Sequence, residues 1–133
     1  MQQLLFVLAD IMHFSFSSIQ AYHLQLLSGE TTCQSAVSQY IEKIHSNSHL
    51  NAMVKVFETE ALASAQLLDQ HLADGKPLLP LHGVVVSIKD VFCFEGHPVS
   101  ASSNMLKGFQ AVFTSTAVQR LLDAGAIVIG TTN

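Results

Sequence analysis

A chain of 133 residues with 49% hydrophobic and only 12% charged side chains is too apolar and too weakly charged to be disordered. Its formal charge of −4 and its 6 Lys+Arg, which form no basic stripe, exclude the clustered positive footprint that nucleic-acid binding needs. A mean hydropathy of +0.36 is high for a complete soluble domain of this size and suits a piece of a larger protein that contains its buried strands.

The opening MQQLLFVLADIMHF has no Lys or Arg ahead of its apolar run, Asp10 interrupts that run, and no small-residue cleavage site follows. It is too short to span a bilayer. Residues 1–16 therefore read as an N-terminal extension, either dispensable or a packing segment. In SSIQAYHLQLLSG, Ile19, Tyr22, Leu26 and Leu27 share one helical face, with Ser17 or Ser18 as cap and Gly29 as terminator. TTCQSAVSQYIEKIH opens on a capping box, Thr31 with Gln34, and repeats apolar residues at Cys33, Val37, Tyr40, Ile41 and Ile44. These two segments are predicted to form a helical hairpin.

LNAMVKVF alternates Ala52, Val54 and Val56 against Asn51, Met53 and Lys55, the pattern of a short strand. ETEALASAQLLDQHLADG is a run of strong helix formers closed by Gly75, with Leu62, Ala65, Leu68 and Leu72 as its core stripe. After the Pro-broken KPLLPLHG, the continuous run GVVVSIK reads as a parallel strand covered on both faces. TSTAVQRLLDAG predicts a capped helix ending at Gly125, and AIVIG a second buried strand. The order argues an α/β fold, a helical hairpin followed by a mixed, mostly parallel sheet with covering helices. A final parallel strand at the sheet edge followed only by TTN suggests that the domain continues past Asn133. Cys33 and Cys93 fit neither a CxxC pair nor a disulfide framework, which points to a reduced, cytoplasmic setting.

The run LHGVVVSIKD ends in Lys89 followed at once by Asp90. A lysine there either snorkels to solvent or is desolvated at the carboxyl end of a parallel strand, where open α/β sheets place their sites. In the second case burial disfavours the ammonium and frees the amine to act as a base, the logic of Ser–Lys catalysis. Position alone does not choose between them.

A wider pattern does. Leu81 and Gly83 precede the strand, Lys89-Asp90 end it, and Gly96, Ala101, Ser103, Leu106 and Phe109 follow. Ala117-Val118, Leu121, Ala124-Gly125-Ala126, Gly130 and Thr132-Asn133 then close the series. In this order the anchors resemble the amidase signature family, whose enzymes use a Ser–cis-Ser–Lys triad. The resemblance covers about residues 17–133, which it reads as the N-terminal portion of one domain incomplete at its C-terminus. Within the family, the hairpin, LNAMV and LHGV are most similar to the A-subunit branch of tRNA amidotransferases. That branch releases ammonia from glutamine to amidate Glu-tRNA(Gln) or Asp-tRNA(Asn), beside B and C subunits that use ATP and Mg.

The resemblance implies that Lys89 is the base that draws a proton, through the cis-serine, from the nucleophilic serine. It implies that Ser102 and Ser103 line the substrate site, no cofactor in this chain, and an amide substrate, glutamine in the A-subunit branch. Both triad serines and the Gly-Ser-rich oxyanion loop lie downstream in the family, so the 133 residues alone are expected to be inactive. Three positions depart from the family pattern: Val85 replaces proline, Val91 asparagine, and Thr131 lysine. A general small-amide hydrolase and a non-catalytic remnant are the alternatives.

Other candidates are weaker. Ser102-Ser103 imitates a serine pair but lacks flanking glycines, and a helix-start cap explains it better. Cys93 with His97 lacks an orienting group for a thiol nucleophile, and His45 with His49 lacks the glutamate of HExxH, so a loop cysteine and a solvated pair are expected.

Overall fold

The computed structural model describes residues 15–133, so residues 1–14 of the expected extension lie outside the described residues. Ser18 caps the first helix of the described residues, α1 (Ile19–Ser28), its side chain accepting the Ala21 N–H at 3.1 Å. Gly29 ends that helix at φ 74°, a conformation in which a Cβ is strained. Tyr22 and Leu26 of the predicted face are buried, whereas Ile19 and Leu27 are exposed. Extensive packing at this end of the molecule is instead between the next helix, α2 (Cys33–Ser46), and α3 (Glu58–Ala73).

The cap of α2 is one residue later than the sequence pattern suggests. Thr32, not Thr31, accepts the Ser35 N–H at 3.0 Å, and Thr31 is buried with its hydroxyl unpartnered. The place of a reciprocal Gln34 contact is taken by Asp69 of α3, whose two carboxylate oxygens accept the Cys33 and Gln34 N–H groups at 2.8 and 3.1 Å. A short-range pattern cannot reveal a cap that arrives from a residue over thirty positions away.

Among the described residues three strands form one mixed sheet in the order β1 (Met53–Val56), β3 (Ile127–Thr132), β2 (Val85–Lys89). The β2–β3 pair is parallel and the β1–β3 pair antiparallel. β3 is thus the central strand of the three, not the edge strand expected from its position late in the chain. Its Ile127 and Ile129 join Tyr22, Cys33, Val37, Ala61 and Ala65 in one core, under α2 and α3. Val128 points the other way, into a smaller core with Ile88 and with Val118 of α4 (Thr116–Asp123). This alternation, with both faces covered, is why AIVIG reads as a continuous apolar run.

Both pairings of β3 are irregular. Val86 faces Val128, but Ser87 faces Gly130, so Ile129 is an extra residue in β3. On the other side Met53 faces Thr132 and Lys55 faces Thr131, which leaves Val54 extra in β1. That bulge overturns the alternation expected for β1. Met53 and Val56 pack against the core, while Ala52 and Val54 are exposed.

A buried turn joins the helices to the sheet. Tyr22 Oη donates to the Gly83 carbonyl at 3.2 Å, and a Cβ on Gly83 would meet Cys33 Sγ and Tyr22 Oη. Burial, reinforced by the nearby Asp69 carboxylate, pushes the Cys33 thiol up to about 12, which keeps it an inert core group. His82, fully buried beside that turn, lies 3.1 Å by Nε2 from the Leu68 carbonyl, which can only accept, so Nε2 carries the hydrogen.

Candidate active site

The parallel pair β2–β3 carries its carboxyl ends side by side, and Lys89 and Thr132 are register partners there. The Asp90 N–H continues the ladder by donating to the Thr132 carbonyl at 2.8 Å. The segment after β2 then loops out and returns, with a bridge between Pro98 and Gln110. It brings Ser100–Ser103 over the same end of the sheet.

Asp90 is what holds that turn. It is only 4% exposed. Its Oδ1 accepts the Ser100 N–H at 3.1 Å, its Oδ2 accepts the Ser100 hydroxyl at 2.5 Å, and its carbonyl accepts the Ala101 N–H at 2.9 Å. Ser102 Oγ donates to Asn133 Oδ1 at 2.9 Å, beside the Lys89–Thr132 pair. Ser103 Oγ accepts the Met105 N–H at 3.3 Å and caps a short 3-10 turn, Asn104–Leu106, as the cap reading expected. One sheet end thus gathers Lys89, Asp90, Ser100, Ser102 and Asn133 from three stretches of sequence.

Lys89 itself is exposed, and among the described residues its ammonium has no hydrogen-bond or ion-pair partner. The desolvation expected of a basic amine is not supplied by the residues described. The three departures from the family pattern lie at different places on the sheet. Val85 sits opposite Ile127 within β2, Val91 is exposed just past the strand, and Thr131 is buried with its hydroxyl unpartnered between Lys55 and Ile88.

The remaining candidates have other occupations. His97 is not turned to Cys93. Its Nδ1 lies 2.9 Å from the Glu95 carbonyl and its Nε2 2.6 Å from Glu60, and its ring stacks on Phe94. His45 Nε2 contacts Glu58 at 2.8 Å. Among the described residues no group of three or more His, Cys, Asp or Glu side chains is placed to hold a metal ion. A groove of about 450 Å³ lies between the end of α2 and β1, lined by Tyr40, Ile44, Leu50 and Met53 among others. None of Lys89, Asp90, Ser100 or Ser102 lines it, so it is separate from the sheet-end cluster.

The sequence singled out Lys89 and the Ser102-Ser103 segment, which the structure brings to one sheet end, but it did not single out Ser100, and Asp90 stood in it only as a neighbour of Lys89. An Asp–Ser contact ten residues apart in a loop has no periodic signature.

A lysine at the end of a parallel strand, faced by a serine-rich turn on an α/β scaffold, marks an amidase-like arrangement. The family model for amidases matches residues 35–133, and the chain belongs to the amidase signature family. The glutamyl-tRNA(Gln) amidotransferase A chain of Salinibacter ruber is 42% identical over 106 residues, which cover 79% of this chain and 20% of that protein. Its counterpart of the same name from Rhodopirellula baltica is 43% identical over 110 residues, covering 82% and 22% respectively. Among solved structures, the native peptide amidase from Stenotrophomonas maltophilia superposes with a TM-score of 0.83 at 28% identity, covering 92% of this chain and 26% of that one. The chain spans about a quarter or less of the length of the curated relatives it matches. Among the described residues no helix is long and apolar enough to cross a membrane.

Proposed function

We propose that this chain is the lysine-bearing part of a cytoplasmic, glutamine-hydrolysing amidase that supplies ammonia for transamidation of Glu-tRNA(Gln) or Asp-tRNA(Asn). The observation that carries the proposal is Lys89 at the carboxyl end of the parallel β2–β3 pair, in register with Thr132 and beside the Ser100–Ser103 turn. The names of the curated relatives support the substrate class.

On this reading a serine outside these 133 residues attacks the carboxamide carbon of glutamine, and its proton passes through a second serine to the neutral Lys89 amine. Lys89 returns that proton to the departing nitrogen, ammonia leaves, and water then releases glutamate from the acyl-serine. Ser102 and Ser103 face the substrate. B and C subunits take the ammonia and activate the tRNA with ATP and Mg.

The test is ammonia release from glutamine by the protein at the full length its gene encodes, together with its B and C subunits. Lys89→Ala is expected to lower kcat by about 10⁴-fold, since the members of such a triad act as a unit. Its melting temperature should be nearly unchanged, because the side chain is exposed. Undiminished turnover in that variant refutes the assignment.

The likeness to a peptide amidase favours a second reading, a stand-alone hydrolase of small amides. Glutaminase activity that rises when B and C subunits are added favours the first, and equal turnover of simple amides without them favours the second.

A further inference from the structure

The turn over the sheet end has an unusual backbone. Ala101 and Ser102 sit at φ 47° and 57°, two successive residues in the left-handed region that L side chains avoid. Neither is the glycine or asparagine that tolerates it. A strained turn of this kind persists only where its surroundings over-determine it. Here the constraint starts from one residue and is extended by Ser100 and Asn133. Asp90 fixes Ser100 through both carboxylate oxygens and fixes Ala101 through its own carbonyl. Ser100 passes the constraint on, its Oγ accepting the Ser102 N–H at 3.3 Å and its carbonyl accepting the Ser103 N–H at 2.8 Å. Ser102 is then delivered to Asn133 at the end of β3.

We propose that Asp90 is a positioning residue, a buried clamp that holds the Ala101–Ser102 turn in its left-handed shape and so sets the wall of the site beside Lys89. It touches no reacting atom and carries no proton in the reaction. Its carboxylate oxygens are directed at Ser100. The proposal deepens the amidase reading and rests on it for the choice of activity as one readout.

A clamp and a charge acting on Lys89 make different predictions. Asn in place of Asp90 keeps an acceptor for the Ser100 N–H and a donor for Ser100 Oγ, so the clamp survives while the charge is lost. In the protein at its encoded full length, Asp90→Ala is expected to lower kcat/KM about 30-fold, mostly through KM. Asp90→Asn should stay within about 3-fold of the parent, comparable to a single neutral hydrogen-bond difference. Adding Ala101→Gly to Asp90→Ala removes part of the strain that the clamp opposes and should recover about 5-fold. Ser100→Ala attacks the same contact from the other side. Its effect should fail to add to that of Asp90→Ala.

A readout independent of turnover is trypsin cleavage after Lys107, just past the turn. It should quicken several-fold in Asp90→Ala and Ser100→Ala and stay near the parent rate in Asp90→Asn. If the parent releases no ammonia, the functional reading fails and the cleavage series still decides the clamp. Cleavage rates unchanged in both Asp90→Ala and Ser100→Ala overturn the proposal. So does an Asp90→Asn variant as impaired as Asp90→Ala with a displaced limb in its pH–rate profile, which would assign Asp90 a charge effect on Lys89.

Discussion

Removing the Asp69 carboxylate should cost the protein far more than its place on a helix surface suggests. Asp69 belongs to α3, yet it accepts the first two N–H groups of α2, at Cys33 and Gln34. Those donors have no partner inside their own helix. An acceptor at a helix start contributes typically ~1 kcal/mol, with values up to ~2. A negative charge near the positive end of the helix adds about 0.3–1 kcal/mol, and solvent around the Gln34 contact screens it toward the lower figure. Asp69→Ala should therefore lose about 2 kcal/mol. For a chain of this size that is a fall in melting temperature of roughly 6–12 °C. Asp69→Asn keeps one acceptor and should lose about half as much. Thr32→Ala, at the same cap, should cost ~1 kcal/mol, and the double variant less than the sum, because both act on one helix end. Urea unfolding followed by circular dichroism gives the free energies, and hydrogen exchange at the Cys33 and Gln34 amides localises them. A change below about 0.3 kcal/mol in Asp69→Ala, with unaltered exchange at those amides, would refute the cap as a source of stability.

Two further perturbations test the core and the sheet. Burial, with His71 and His23 nearby, lowers the His82 pKa below its ordinary value of 6.5, against an opposing contribution from the Leu68 carbonyl. The unfolded chain then binds the proton more readily, so stability is full above about pH 6.5 and declines as pH falls from there toward the lowered folded value. Urea midpoints between pH 5 and 8 should show that slope, and His82→Gln should flatten it; an identical slope in the variant rules out His82 as its source. In Gly130→Ala the new Cβ would run into the Lys55 carbonyl oxygen and Met53 Cε, forcing β1 away from β3. A loss of about 3 kcal/mol is expected in urea unfolding, and a change under ~0.5 kcal/mol would show that β1 yields freely.

The readable parts of the chain were those in which one local rule decides the outcome. A continuous apolar run announced β3, whose two faces are both covered, and β2 was found although only Val85, Val86 and Ile88 of it pack against the cores while Ser87 and Lys89 are exposed; Ser18 and Gly29 bounded α1 because caps are local chemistry. Where a distant residue intervenes, the pattern misled. The α2 cap is Thr32 rather than Thr31, with Asp69 accepting the Cys33 and Gln34 N–H groups, and the bulge at Val54 broke the alternation of β1. The antiparallel arrival of β1 made β3 central, although its position late in the chain suggested an edge. At the site, Lys89 was legible only within a family-wide pattern of anchors. The Asp90–Ser100 contact was not legible at all, and nothing in the letters of Ala101 and Ser102 signals a left-handed backbone.

The extra residue at Ile129 has a consequence for how this sequence can change length. Before it, β2 and β3 pair at one offset, and after it they pair at an offset one residue larger, which is the offset that sets Lys89 opposite Thr132. Side chains in a strand alternate, so one residue gained or lost in β2 before Lys89 would turn Lys89 from one face to the other, and one gained or lost in β3 would move Thr132 from opposite it. Loops here are free to lengthen or shorten, since their closure cost grows slowly. The β2–β3 pair, by contrast, keeps count. Insertions and deletions should therefore be tolerated between residues 104 and 108, ahead of the stretch that pairs with residues 96–99, and rejected between 85 and 89 and between 127 and 132.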